Sequence, residues 1–122
     1  MKQLQTILIA LVALLGVVAA AEASVDLWTP PLVAQAGQYA SCRLSNVTAL
    51  ARTVQIRIYD YSGTVNYFTP VFQLAPFSNY NLEAVGFLQF MCRFTAPSKA
   101  TVRGAAAVVS GGGSDTAAVP AQ

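Results

Sequence analysis

The sequence contains no histidine. Because histidine is the commonest general base and the commonest zinc ligand, its absence removes the usual hydrolase triads and most zinc sites. Only four carboxylates follow residue 23, and none lies close to another in sequence: Asp26, Asp60, Glu83 and Asp115. The glycines at 111–113 are not followed by the lysine of a phosphate-binding loop. We therefore expect no catalytic residues, no metal site and no cofactor, and a protein that is not an enzyme.

Basic residues are scarce as well, and they are scattered singly through the part that follows residue 23: Arg43, Arg52, Arg57, Arg93, Lys99 and Arg103. A nucleic-acid binder normally concentrates its basic residues on one element or one face. A nucleic-acid partner is therefore not expected.

The N-terminal segment has the pattern of an export signal. A weakly basic start at Lys2 is followed by a continuous apolar run over residues 6–18 and by small residues that predict cleavage before Glu22 or Ser24. The alternative is an uncleaved membrane anchor, but residues 6–21 fall short of the roughly 20 apolar residues that span a bilayer. We expect a signal peptide over 1–23, an exported protein in the periplasm or outside the cell, and membrane contact only through this segment before cleavage.

The chain has two cysteines, Cys42 and Cys92. In an exported protein the simplest interpretation is one structural disulfide, since the compartment beyond the membrane is oxidising. A redox pair would usually show the Cys-x-x-Cys spacing, which is absent. Each cysteine lies in an alternating run, so the disulfide is expected to join two sheets.

Alternation of apolar and polar residues predicts strands, because successive side chains of a strand point to opposite faces. The clearest runs cover residues 86–96, 38–47 and 52–60. Their predicted core-facing residues are Leu88, Phe90, Cys92 and Phe94; Ala40, Cys42 and Leu44; and Val54, Ile56 and Ile58.

Turn residues separate these runs at the spacing typical of a sandwich. A tight turn is predicted at 60–63, a hairpin loop at 97–99, a last strand over 100–110 and a flexible tail over 111–122. The prediction is an all-β, immunoglobulin-like sandwich of seven to eight antiparallel strands in one domain over 24–110.

The order of these features resembles small exported bacterial domains of the immunoglobulin-like type. The resemblance is carried by residues 42–46, 54–60, 92–94 and 102–103. Two positions depart from true immunoglobulin domains: the strand after the first cysteine has Ile56 and Ile58 in place of tryptophan, and Phe90 stands where tyrosine ties the corner. The resemblance implies an architecture and no particular function.

Aromatic and amide side chains are concentrated over residues 59–80. They either fill and border the core or form a recognition face, for which tyrosine offers rigid contact area with one hydrogen bond. The candidate recognition residues are Tyr59, Tyr61, Tyr67 and Tyr80, while Trp28 is expected to cap one end of the core. The sequence predicts a function by protein–protein contact or self-assembly, for which sandwich edge strands offer a route, and as the alternative a small carbohydrate- or ligand-binding module.

Overall fold

The computed structural model describes residues 24–60, 62–85 and 89–122, and it shows two antiparallel sheets packed face to face. The strands are β1 Val25–Trp28, β2 Leu32–Val33, β3 Gln38–Asn46, β4 Arg52–Asp60, β5 Val65–Phe68, β6 Phe72–Leu74, β7 Asn79–Ala84, β8 Gln89–Ala96, β9 Val102–Ser110 and β10 Asp115–Pro120. Sheet 1 has the order β1-β8-β4-β5, with β2 beside β8 and β6 beside β4, and sheet 2 has the order β10-β9-β3-β7. The predicted all-β class is confirmed. The predicted signal peptide, Tyr61 and Leu88 lie outside the described residues.

The predicted core faces are confirmed wherever the structure describes them. Phe90, Cys92 and Phe94 of β8 are completely buried, and Ile56 and Ile58 of β4 lie beside them in the same sheet. Sheet 2 contributes the inward side chains of β3 and β9, which are Ala40, Cys42, Leu44, Val102, Ala106 and Val108. Period-two alternation thus sorts the core from the solvent face in each central strand.

The disulfide between Cys42 and Cys92 joins the two sheets at their central strands, as predicted. Cys42 lies on β3 and Cys92 on β8, their Cα atoms are 5.7 Å apart, and both side chains are fully buried. The bond therefore holds together two layers between which the described strands form no ladder of backbone hydrogen bonds.

The turn predicted at 60–63 is also present. Gly63 adopts a φ of 82°, and the Asp60 carboxylate accepts hydrogen bonds from the backbone N–H groups of Ser62 and Thr64. A carboxylate that bonds the following backbone and a glycine with positive φ are the two devices this turn requires.

The loop at 97–99 is not a hairpin, contrary to the prediction. The strand before it, β8, belongs to sheet 1, while β9 after it pairs with β3 and β10 in sheet 2. After the crossing, Gly104 of β9 packs against the ring of Phe94 in the opposite sheet. Turn residues indicate where a chain reverses but not which sheet the next strand enters.

The segment 111–122 is not a flexible tail over its whole length, which corrects a second prediction. Residues Asp115–Pro120 form β10 and pair with β9 from Val109 to Ala105. Arg43 of β3 holds this strand by a bidentate ion pair with Asp115, with both N···O distances 2.7 Å. Backbone pairing, one ion pair and the packing of the partly buried Val119 against the core stabilise β10, and none of these gives the sequence an apolar period. With the short strands β2 and β6, the described residues form ten strands rather than seven or eight.

We expect the disulfide to dominate the stability of the domain. Replacing both cysteines (Cys42→Ala with Cys92→Ala) removes a cross-link that spans 50 residues. The loop-entropy model predicts a loss of about 4 kcal/mol in the free energy of unfolding, measurable as a lower urea midpoint. Reduction of the unsubstituted protein should lower the midpoint by a similar amount, and an unchanged midpoint in both experiments would contradict this role.

We expect Gly104→Ala to destabilise the core. A Cβ at residue 104 would lie 2.7 Å from two ring atoms of the fully buried Phe94. Overpacking of this kind costs about 1–3 kcal/mol. The matched control is Gly112→Ala, where the nearest atom lies at 3.9 Å, and its unfolding free energy should change by less than about 0.5 kcal/mol. Equal effects of the two variants on the unfolding free energy would show that the contact with Phe94 does not cause the destabilisation.

Candidate functional site

The two lateral sides of the sandwich, where the edge strands of the two sheets face each other, differ. Because β9 packs on β8 and β3 packs on β4, the edge strand β10 lies on the same side as β1, and β7 lies on the same side as β5 and β6. On the β1 side, Trp28 and Gln122 exchange two backbone hydrogen bonds of 3.0 Å, which close the gap between the sheets. No comparable bridge joins β7 to β5 or β6 within residues 24–60, 62–85 and 89–122. The side with β7 is therefore the open one.

The free side of β7 presents backbone groups that pair with no strand of the described residues. The N–H of Asn46 donates to the carbonyl of Ser78, 2.9 Å away, at the start of the β3–β7 register. Since hydrogen-bonded pairs alternate along an antiparallel ladder, the backbone groups of residues 80, 82 and 84 face β3. The N–H and C=O groups of Asn79, Asn81 and Glu83 then point away from the sheet, where they are available to an added strand.

The other edges are obstructed. The chain runs from β1 into two consecutive prolines at 30–31, the edge formed by β5 and β6 is interrupted at Pro70, and β10 contains Pro120 and the ion-paired Asp115. Proline and charge are the usual means by which a protein protects an edge strand from pairing with another chain. By contrast, β7 has six residues with no proline and one charged side chain, Glu83.

Exposed apolar side chains flank this edge. Tyr80 is 42% exposed and its ring lies 4.9 Å from that of Phe72, while Val85 is 70% exposed. Phe77 is 72% exposed and has a φ of 52°, which is unusual for a residue with a bulky side chain. We call the free side of β7 together with Phe77, Tyr80 and Val85 the β7 edge.

The predicted recognition tyrosines do not share one face. Tyr80 belongs to the β7 edge, and Tyr67 on β5 lies across the open side, where it lines an open pocket of 310 Å³ with Tyr39 and residues 83–85. Tyr59 lies on the solvent face of sheet 1. Tyr61 lies outside the described residues.

Trp28 does not cap the core, which corrects the expectation for this residue. It is 40% exposed on the solvent face of sheet 1, its ring centroid lies 5.0 Å from that of Tyr59, and the guanidinium carbon of Arg93 lies 5.2 Å from it. Alternation already pointed to this placement, because Leu27 is the buried residue of β1, so Asp26 and Trp28 face solvent together.

Arg93 connects the polar groups of this cluster. Its Nη1 donates to the Tyr59 hydroxyl at 3.0 Å and its Nη2 donates to an Asp26 oxygen at 2.5 Å. Thr95 donates to the other Asp26 oxygen at 2.8 Å. The hydrogen bond from Arg93 holds the pKa of the Asp26 carboxyl below its ordinary value, against a smaller opposing effect of burial.

Few side chains of the described residues are suited to metal binding. Within the described ranges, no group of three or more His, Cys, Asp or Glu side chains is placed to hold a metal ion. These same ranges contain no helix of the length and apolarity needed to cross a membrane.

Comparisons with known proteins support the fold alone. No protein-family model matches the chain, and no curated protein matches it. Among solved structures, the crystal structure of Thermotoga maritima 1070 is similar over 83% of this chain and 95% of that one, with a TM-score of 0.55 and 10% sequence identity. At this identity the likeness indicates a β-sandwich-like fold and carries no activity across.

The Asp26–Arg93 contact should make stability depend on pH. Because the folded pKa of Asp26 is lowered, its contribution is present above the unfolded pKa near 4 and is lost as the pH falls through the folded value. Asp26→Asn should cost about 0.5–1 kcal/mol at neutral pH and should flatten the decline of stability in acid, measured by urea unfolding between neutral pH and pH 2. Glu83→Gln, which alters a carboxylate outside this contact, is the control, and an equal flattening in that variant would contradict the assignment.

Proposed function

We propose that the protein is an exported, non-enzymatic β-sandwich that acts by protein–protein contact or assembly, and that it makes this contact by strand addition at the β7 edge. The observation that carries the proposal is the contrast between edges: the other described edges contain, are followed by or are interrupted by proline, or are closed by backbone pairing, whereas β7 offers three outward-facing backbone positions at alternate residues. Edges of this kind accept strands from other chains.

An added strand would gain both hydrogen bonds and apolar contact. The outward groups of Asn79, Asn81 and Glu83 would supply the ladder, while Tyr80 and Leu82 would meet the core-facing side chains of the incoming strand. In strand addition, backbone bonds supply affinity and alternate side chains supply specificity. The half-buried Leu82 and the exposed Tyr80 thus become the specificity positions.

The β7 strand of a second copy of the chain fits the same edge. If two β7 strands pair antiparallel about Asn81, then Asn79 of each lies opposite Glu83 of the other and all three outward positions are used. The like charges of the two Glu83 residues are kept apart, and Tyr80 packs against Leu82 across the junction. Self-assembly is therefore one form of the proposed contact.

Export is supported by two features. The N-terminal pattern is that of a signal peptide, and the buried disulfide is of a kind that persists in oxidising compartments. Both support a location in the periplasm or outside the cell.

The architecture is proposed to be a variant of the immunoglobulin type. In that fold the strand with the first cysteine lies between the first and fifth strands, and the strand with the second cysteine lies between the third and last. Here β3 lies beside β7 and β8 beside β4 in agreement, but β9 takes the place beside β3 and β1 the place beside β8. The first and last strands of the core arrangement are thus exchanged between the sheets.

A carbohydrate- or ligand-binding function remains the alternative. The observation in its favour is the pocket at Tyr67, whose 310 Å³ is at the lower end of the usual range for small-ligand sites. Tyr67→Ala should abolish any saturable response to a glycan, and a wild-type protein that responds to none would remove this alternative.

Photo-crosslinking at the edge tests the leading proposal. A photoreactive residue placed at position 81 should form adducts with a protein partner or a second copy in cells that export the chain, whereas one placed at Arg103, on the solvent face of β9, should not. Asn81→Pro, combined with a photoreactive residue at position 79, should reduce the adducts about tenfold, because it removes the outward N–H without breaking a bond to β3. Asn81→Ala keeps that donor and is the matched control.

Sedimentation velocity over a range of concentrations separates the two kinds of partner. Association that depends on concentration and is lost in Asn81→Pro identifies a second copy, and adducts from a protein that stays monomeric identify another partner. A monomer that forms no adduct through position 81 would overturn the proposal.

A further inference from the structure

One row of side chains crosses the whole solvent face of sheet 1. The register places Trp28 beside Arg93, Arg93 beside Arg57, and Arg57 beside Phe68. Residues that are direct partners in an antiparallel ladder point to the same face, so the row reads aromatic, cation, cation, aromatic from β1 to β5. Both ends are accessible, with Trp28 40% and Phe68 65% exposed.

The centre of this row has more positive than negative charge. Two arginines directly opposite each other repel, and the adjacent carboxylate, Asp26, forms its ion pair with Arg93. Arg57 makes no ion pair with any residue in the described ranges, and its Nη2 donates a hydrogen bond to the neutral side-chain oxygen of Gln55, 2.5 Å away. The Nε of Arg93 is also buried without a partner among the described residues. The row therefore carries one positive charge, that of Arg57, with which no carboxylate of the described residues forms an ion pair.

We propose that this row binds an extended segment of a partner protein in which an acidic residue is flanked, two positions away on each side, by apolar residues. The carboxylate would accept hydrogen bonds from Arg57 and lie in the field of Arg93, and the two apolar side chains would pack on Trp28 and Phe68. Arginine is suited to this role because its planar fork bonds a carboxylate at two points.

The length of the row across the four strands favours an extended peptide as the bound partner segment. Adjacent strands lie about 4.8 Å apart, so the four-strand row is about 14 Å long. An extended chain advances about 3.3 Å per residue, so residues i and i+4, whose side chains point the same way, are about 13 Å apart. An apolar–x–acidic–x–apolar segment crossing the strands thus matches the row from end to end. This surface is separate from the β7 edge, and the inference does not rest on the proposed function.

The test uses the single tryptophan of the chain as its reporter. The indole N–H peak of Trp28 is followed by NMR while the peptide acetyl-Ser-Phe-Thr-Glu-Thr-Phe-Ser-amide is added up to millimolar concentration. We expect a saturable shift that weakens as salt is raised. The same peptide with Gln in place of Glu should bind about tenfold more weakly, as expected when a charge-assisted hydrogen bond is lost.

Two variants and one further probe decide the outcome. Arg57→Gln should weaken binding of the acidic peptide about tenfold, whereas Arg103→Gln, which removes one charge from the solvent face of sheet 2, should leave it unchanged. Arg57→Gln should also leave photo-crosslinking at the β7 edge unchanged, so the two proposals can fail separately. No saturable shift, equal binding of the Gln peptide, or an unaffected Arg57→Gln variant would each overturn the inference. Binding of polygalacturonate in place of the peptide would overturn it as well, since that result assigns the row to an acidic polysaccharide.

Discussion

The Cys42–Cys92 bond is the constraint on which the rest of the arrangement depends. It joins β3 and β8, each of which has a neighbour on both sides in its own sheet, so it fixes the two layers relative to each other at their centres. Few other groups link the layers covalently or by backbone pairing, and a domain of this size buries only a modest core. With the layers held in this way, backbone hydrogen bonds between Trp28 and Gln122 join the edges on one side, and the ring contact between Phe72 and Tyr80 joins them on the other.

This asymmetry distinguishes the β7 edge from the other edges of the described residues. On the closed side, the backbone pair between Trp28 and Gln122 and the ion pair between Arg43 and Asp115 hold β10 in place. On the open side, β7 has a regular register with β3, no proline and one charged side chain, Glu83. An edge left without protection can pair with other chains, and this contrast between edges is what supports the strand addition that we propose at β7.

The chain has few charged side chains, so the position of each one is informative. The described residues contain two salt bridges, Arg43–Asp115 and Asp26–Arg93, and each joins different strands. Arg57 and Glu83 have no such partner in the described ranges, and they lie on the two surfaces that we assign to protein contact.

The sequence by itself determined the strand class, the core faces of the central strands, the disulfide between the sheets and the turn at Gly63. Each of these follows from local periodicity, from turn chemistry or from there being only two cysteines. It did not determine that β9 enters the sheet opposite β8, that 115–120 forms a strand, or that Trp28 joins Arg93 and Arg57 in one row. These depend on which strands become neighbours, and strand neighbours are set by backbone pairing between distant segments, which leaves no period in the sequence. The tertiary structure therefore decided where the surfaces are, since an edge or a cross-strand row exists only once the order of strands is set.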